Sequence, residues 1–498
     1  MCVSSAVEFA PSVKMLALAL SFLSVLLLVL LCFAVAIVRN HNYLKAVPKP
    51  PGHWILGHLL EFGDPTDFLK KASNCASNYG GLMRICLPPS WTVVVITDRD
   101  VTKKIFEETI DKSTDYDYFK PWLGTGLLTS KGDKWKQRRR LLAPCFGSLE
   151  LMKGFISVFE TLGVELIAKL QNEDGNTNLD LIPFMKRYTL DVLCETSMGV
   201  PLTSDGESYR ESLENLCGVL VNRLKVPYKR IDSLFRLTED YHIQKRSIKV
   251  IDSFFDEIFE KKLKLLNEGR TNNGKRLAFL DLLMEFYKTG ELTKEDIRAE
   301  VNTIMFGGHD TTAAGLAFTL YTLANNSHVQ EKVVEEQLSI FGTLKNVPQQ
   351  TFEDIQQMKY LEMVIYEALR LYPPIPVIAR QLPNDIDLGD MVLPKDLNVI
   401  VFIYGAHHDP VYFPDPEKFI PERFENGEVL PFTHFPYSIG QRSCIGKKFG
   451  LIEMKSCLSK IVRNFKLLPS VPLSEPMLVH ELTLTSLNGV KISVERRE

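Results

Sequence analysis

Several kinds of protein are excluded by what this sequence does not contain. Its nine cysteines, at positions 2, 32, 75, 86, 145, 194, 217, 444 and 457, include no CxxC pair and no other zinc-type spacing. An odd, irregular set in a chain this long reads as reduced thiols on the cytosolic side. There is no excess of one charge: the formal net charge of −3 argues against nucleic acid as the main partner. From His58 onward there is no low-complexity linker and no internal repeat. Length alone would suggest two or three domains, but no composition break divides them. The residues 219–268 lack glycine altogether and are rich in charge and phenylalanine, which predicts amphipathic helices interrupted near Pro227.

Charge is also missing from Leu16 to Val38, a leucine- and valine-rich run. At 1.5 Å per residue it extends about 35 Å, enough to cross a bilayer. A cleaved signal peptide would have a shorter apolar core. Arg39, Lys45 and Lys49 follow the run, whereas Lys14 before it is offset by Glu8. The positive-inside rule then leaves the rest of the chain in the cytosol. The expected organisation is an N-terminal segment, residues 1–40, with a membrane helix at about 16–38. A proline-rich hinge, 41–58, carries Val47-Pro48-Lys49-Pro50-Pro51-Gly52. A globular domain, 59–498, completes the chain.

Within that domain, Leu82–Cys86 and Thr92–Thr97 read as a β-hairpin. Helical spacing dominates from Asp98 to Tyr372, with breaks expected at Pro121, Pro144, Pro201 and Gly269. Near the end, Asn488-Gly489 predicts a type I′ hairpin within about 482–494. The expected fold is mainly α with small β-sheets.

Against this background Tyr437-Ser-Ile-Gly440-Gln-Arg442-Ser-Cys444-Ile-Gly446 stands out, because helical sequence from Lys447 to Val462 follows it directly. A thiolate at a helix start is stabilised by the dipole and by free N–H groups. The glycines let the backbone approach a flat partner, and Arg442 can neutralise an anion on its rim. Such a loop suits a cysteine that ligates haem iron. A second feature, Phe306-Gly307-Gly308-His309-Asp310-Thr311-Thr312, lies inside a long helix expected to start at Thr293, with Asp296 completing a capping box, and to run to about Asn325. Two interior glycines cost about 1 kcal/mol each relative to alanine, and threonine hydroxyls bond back to the helix and bend it. Alone, this stretch serves a small-residue helix crossing as well as a ligand pocket. A third feature, Glu367-Ala-Leu-Arg370, puts opposite charges on one helix face before Pro373-Pro374.

Together these motifs resemble the cytochrome P-450 monooxygenases, whose signature FxxGxRxCxG is matched except at Tyr437, and the likeness spans essentially the whole chain. The resemblance implies the cytochrome P-450 fold with an N-terminal transmembrane helix, and haem b held by Cys444 as axial ligand. It implies that Asp310 and Thr311 are an acid–alcohol pair relaying protons on the opposite side. It pairs the ExxR arginine and glutamate with Arg423 of Pro421-Glu-Arg423-Phe in a buried structural triad. Trp135 and Arg139 match WxxxR; with Arg380 and Arg442 they are implied to meet the haem propionates. The six positive charges among 131–140, with Lys447 and Lys448, would form a docking face for an acidic electron donor. Pocket walls are implied before Trp135, near Ile304, at 374–378 and at the turn near Leu487. His407-His408 is read as structural, since no third ligand has suitable spacing.

In detail, GGHDTT, LEMVIYEALRLYPPIPVIAR and DPVYFPDPEKFIPERF look like the animal microsomal family-four group and its insect relatives. That group implies hydroxylation of fatty acids and related lipids, with electrons from NADPH through NADPH–cytochrome P-450 reductase, cytochrome b5 as a further partner, and an endoplasmic-reticulum location. Hormones and xenobiotics are oxidised with the same motifs. Many members carry glutamate where this chain has Gly307, which predicts non-covalent haem here. Tyr437 would bring a hydroxyl near the thiolate and tune the iron. The alternatives are a haem-thiolate isomerase or dehydratase acting on peroxides without reductase, or a haem-binding protein without turnover; neither requires the Asp310–Thr311 pair.

Overall fold

The computed structural model describes the chain except for residues 1–14, 16, 17, 19, 25, 26, 29, 33, 36, 37, 39–43, 55, 88–90, 203–205, 269–277, 346, 426, 428 and 498. Two regular strands, β1 (Leu82–Leu87) and β2 (Trp91–Ile96), pair antiparallel with Leu82 opposite Ile96, as the β-rich residues on either side of the proline pair predict. The helices that frame the interior then follow: α1 (Gly132–Gly147), α2 (Leu149–Gln171), α3 (Leu181–Leu193), α4 (Glu207–Lys225), α5 (Glu239–Asn267) and α6 (Lys294–Asn325). After α7 (Lys359–Leu371) come β3 (Val377–Gln381) and β4 (Asn398–Phe402), then α8 (Lys447–Asn464). Four short strands close the chain: β5 (Phe465–Pro469), β6 (Leu478–His480), β7 (Leu484–Ser486) and β8 (Lys491–Arg496).

The main sheet runs β1-β2-β4-β3, with β2 parallel to β4 and β3 antiparallel to it. Its edge is extended by an isolated antiparallel bridge between Lys112 and Arg380, beside which Gln381 N–H donates to Asp111 O at 3.2 Å. Helix α6 is the axis of the molecule. Thr293 caps it by accepting from Asp296 N–H, and the Asp296 carboxylate in turn accepts from Thr293 N–H. Its C-terminal half is buried on all sides, which explains why residues 313–324 carry no charge.

Two expectations are changed by the fold, and two others are not decided by the described residues. Pro144 does not break its helix: it sits in the last turn of α1, where only one bond is forfeited, and Ser148 N–H still reaches Pro144 O at 3.0 Å. The Asn488-Gly489 turn joins no hairpin. Only Gly489 of the pair takes a positive φ (79°), so the type I′ geometry is not formed. β7 pairs instead with β6, and β8 with β5 and the two-residue strand Leu179–Asp180. Asn488 turns the chain by accepting from Met477 N–H and donating to Glu475 O. The expected break at Gly269 lies outside the described residues. In the apolar run at 16–38 the described residues are helical and exposed, and among the described residues no helix is long and apolar enough to cross a membrane.

Candidate active site

A cavity of about 510 Å³ lies beside α6, and its wall includes Cys444, Gly307, Thr311, Trp135, Arg139 and Arg442. The exposure of Cys444 is exposure to this cavity. Its loop is held by backbone bonds: Cys444 N–H donates to Tyr437 O at 2.8 Å and Ser443 N–H to Gly440 O at 3.0 Å. Gly440 has φ +73°, so the tight turn needs glycine there. Burial pushes the Cys444 thiol up, opposed by Gly446 N–H and by Arg139, Lys112 and Lys447. A Cβ at Gly446 would lie 3.9 Å from the sulfur, so the glycine keeps the thiol's flank open.

Behind the loop stands the charged triad. Arg370 donates twice to Glu367, at 2.8 and 2.9 Å, and both side chains are fully buried. Arg423 Nε reaches the same carboxylate at 3.3 Å, and Ile420 N–H at 3.0 Å. Arg370 also donates to His407 O at 2.9 Å, while His407 Nε2 accepts Phe435 N–H at 2.9 Å. Ser438 N–H in turn donates to Phe435 O at 2.9 Å. A continuous relay of bonds thus runs from the triad into the cysteine loop. His407 is one of its links; burial, with His434 and His408 next to it, keeps the imidazole uncharged.

On α6 the two glycines have different surroundings. A Cβ at Gly307 would meet no atom within 4 Å, whereas one at Gly308 would come within 2.9 Å of Leu193 on α3. Gly307 therefore opens the cavity and Gly308 lets two helices pack. Thr311 faces the cavity and donates to Gly307 O at 2.7 Å, leaving its oxygen lone pairs toward the space. Asp310 does not line the cavity. It lies behind the helix, 3.2 Å from Lys186 Nζ and 3.3 Å from His309 Nδ1. Burial pulls the Lys186 ammonium down, but Asp310 beside it outweighs that, so the lysine is held above its ordinary value. The acid and the alcohol are thus adjacent in sequence, one toward a partly exposed lysine and one toward the cavity.

At the rim, Arg442 sits over Trp135, 4.0 Å from the ring centre, and donates to the carbonyls of Ile110, Leu127 and Ser130 at 3.0, 3.1 and 2.7 Å. Burial pulls its guanidinium down to about 10. Arg380 is 1% exposed and sits just behind the wall at Ala379, with Nε unpaired. An antiparallel bridge points paired side chains to one face, and so brings Lys112 beside Arg380. Lys112 lines the cavity over Tyr116, and burial together with Arg380 and Arg442 pushes its ammonium well down. These crowded cations, with an open face at Gly307 and apolar walls, fit a flat ligand carrying two anions: haem. No local signal marks Lys112 in the sequence.

The basic run turns out to be split. Arg139 faces the cavity, and Arg138 is buried in an ion pair with Asp296. Only Lys134, Lys136 and Arg140 are exposed, with Lys447 and Lys448 beyond them. Glu300 belongs to none of the sequence motifs. It is 1% exposed on the cavity wall, accepts Leu127 N–H at 2.9 Å, and burial raises it to about 7. Its position two turns before Gly307 would have marked it as facing the same way. The walls expected near Ile304 and at 374–378 are present, but Leu487 is exposed and the residues 480–483 take its place. Tyr437 also lines the cavity, and its bond to Cys444 is made by its carbonyl; no bond from its hydroxyl to the sulfur is present among the described residues.

Residues 47–491 match the family model of cytochrome P450. Among curated proteins, the chain is 33% identical to cytochrome P450 4c3 of Drosophila melanogaster, over 92% of this chain and 91% of that protein. It is 32% identical to human cytochrome P450 4V2, over 95% and 94%.

Proposed function

The chain belongs to the cytochrome P450 family, a haem-thiolate monooxygenase by that membership, and from this premise we propose that it hydroxylates a lipophilic substrate of the fatty-acid or related-lipid class. Haem with a cysteine thiolate is the family's cofactor; in this chain its ligand is Cys444. When bound, haem supplies the activation of O₂, one atom entering a C–H bond and the other leaving as water with two electrons and two protons. The single observation that carries the reading is that Cys444 and the Gly307–Thr311 turn share one cavity whose wall is otherwise largely apolar.

The protein's own residues have separable tasks. Trp135, Arg139, Arg380 and Arg442 hold the propionates, joined by Lys112. Thr311 holds a proton donor at the cavity wall, and Asp310 refills it from the Lys186 side. Apolar groups such as Phe306, Leu128 and Ile378 exclude water from the reacting carbon. Hormones and xenobiotics share the lipophilic character that such walls accept. Gly307 offers no carboxylate, so the haem is non-covalent, and acid–solvent extraction should free all of it from the polypeptide.

The family typically draws electrons from a redox partner. Here that partner is NADPH–cytochrome P-450 reductase, with cytochrome b5 as a second donor, meeting the exposed lysines around α1 and α8. The helix at about 16–38 anchors the chain in the endoplasmic-reticulum membrane, the hinge at 41–58 connects it, and the domain at 59–498 stands on the cytosolic side. The test is reconstitution with reductase, NADPH and a lipid extract. Products heavier by one oxygen, absent without NADPH, are expected; product formed without NADPH would reverse the reading.

A further inference from the structure

The cations on the cavity wall fall into two groups. Lys112, Arg139 and Arg442 all act electrostatically on or beside Cys444 and belong to the cofactor's end. One cation on the wall does not: Arg230, in the short turn Pro227–Arg230 between α4 and α5. The ion pairs of the neighbouring cations are local, Lys229 to Asp240 at 2.6 Å and Arg223 of α4 to Asp232, although Arg223 also stacks on Phe235 and on Tyr118 of the facing segment. Arg230 instead reaches across to a different part of the chain and pairs with Asp115, which also lines the cavity. Tyr118 hydroxyl donates to Arg230 O at 3.2 Å, so the backbone at this point is pinned to the facing segment independently of the ion pair.

The surroundings are those of an amphiphile's path. Outside, Tyr228, Ile231, Leu234 and Leu237 are exposed along the same connection. Inside, aromatic rings lead from Asp115 toward the oxygen side: Tyr116 stacks on Phe119 at 5.9 Å, and Phe119 meets Phe306 at 5.5 Å, next to Gly307. An ion pair between an apolar rim and an apolar tunnel is poorly placed to serve as packing. Arg230 and Asp115 side chains keep 21% and 25% of their exposure, so Asp115 can turn to solvent when another anion arrives. A guanidinium offers two parallel N–H donors to a carboxylate.

We propose that Arg230 is the head-group residue of the substrate site, binding the carboxylate of a long-chain substrate in exchange for Asp115 and sending the rest of the chain past Phe119 and Phe306 toward Gly307. The inference rests on the lipid reading above and adds to it the charge, the residue and the orientation. Arg230 selects and orients; it does not touch the reacting carbon.

The experiment compares dodecanoate with its methyl ester, the same chain without the charge, on the full-length holoenzyme. Binding is read from the shift of the haem Soret band and from displacement of a fluorescent long-chain carboxylate. In Arg230→Gln the acid should weaken by about 10–100-fold, the loss of a charge-assisted pair, while the ester stays within about twofold. Arg230→Lys should recover part of the loss, and Asp115→Asn should bind the acid more tightly. Equal weakening of acid and ester, or no change in either, would overturn the assignment. So would weaker acid binding in Asp115→Asn, or acid selectivity that disappears in Lys112→Met and survives in Arg230→Gln. If the unaltered enzyme binds neither probe, the lipid reading itself fails and this inference with it; if it binds both and Arg230→Gln changes nothing, only the inference fails.

Discussion

The two ends of the cavity are built on opposite terms. At the cysteine end contacts reinforce one another: backbone bonds close the loop, a buried triad supports it through His407, and Arg442 is fixed by bonds to three carbonyls with N–H groups to spare. At the Arg230 end the segments meet through a partly exposed ion pair, a tyrosine hydroxyl and the face of the same ring. A buried charged network is strongly destabilised when one partner is removed, whereas a partly exposed pair is worth under about 1 kcal/mol. The first end can therefore hold a geometry through many turnovers, and the second can exchange its partner with each substrate. Reaction chemistry resides where contacts are over-determined, and selectivity where they are replaceable.

The contrast can be broken hardest at the cysteine end. Cys444→Ser should abolish the red-shifted ferrous–CO band and all NADPH-dependent product, whatever the substrate; retention of that band would remove Cys444 as ligand. Next in size, Asp310→Asn should lower turnover by about 100-fold while substrate-induced spectral shifts keep their midpoint. A change in the midpoint instead would place Asp310 in binding. Glu300→Gln tests the middle of the cavity through pH. Glu300 has a folded-state pKa of about 7, above its ordinary 4.5. The folded chain thus keeps a proton that the unfolded chain releases, and stability declines as pH rises from about 4.5 to 7. Glutamine carries no such proton, so the variant's Tm should gain on the unaltered protein by about 1–3 °C between pH 5 and pH 8. Parallel Tm curves would show that Glu300 is not titrating there.

The smallest effect is expected outside. Lys136→Glu with Lys448→Glu should raise the reductase concentration needed for half-maximal rate by about two- to fivefold at low salt, fading at high salt. A loss that is indifferent to salt would mean that these lysines act by contact rather than by steering.

The cysteine end was legible in the sequence because its signals are local. The glycines, the arginine and the helix after Cys444 lie within one short stretch, and Thr293 with Asp296 announces α6 in four residues. The triad needed three separated motifs but kept their order. The rest was hidden for two physical reasons. Lys112 reaches the cofactor's end only because residues 111–113 bridge to β3, and Arg230 meets Asp115 only because two distant connections face each other. In the basic run around Trp135, helical phase, not composition, decides which charges point inward, so the expected uniform face divided into buried and exposed members. Asn488-Gly489 misled because a turn signal fixes a reversal of the chain, not the strand that receives it.

The adjacent glycines of α6 carry a consequence for descent. A side chain at 308 would have to displace Leu193, but one at 307 would enter space that no protein atom occupies. A change at 307 can therefore be inherited without breaking the packing of the helices, its effect falling on what the cavity admits. The neighbouring position gives inheritance no such latitude.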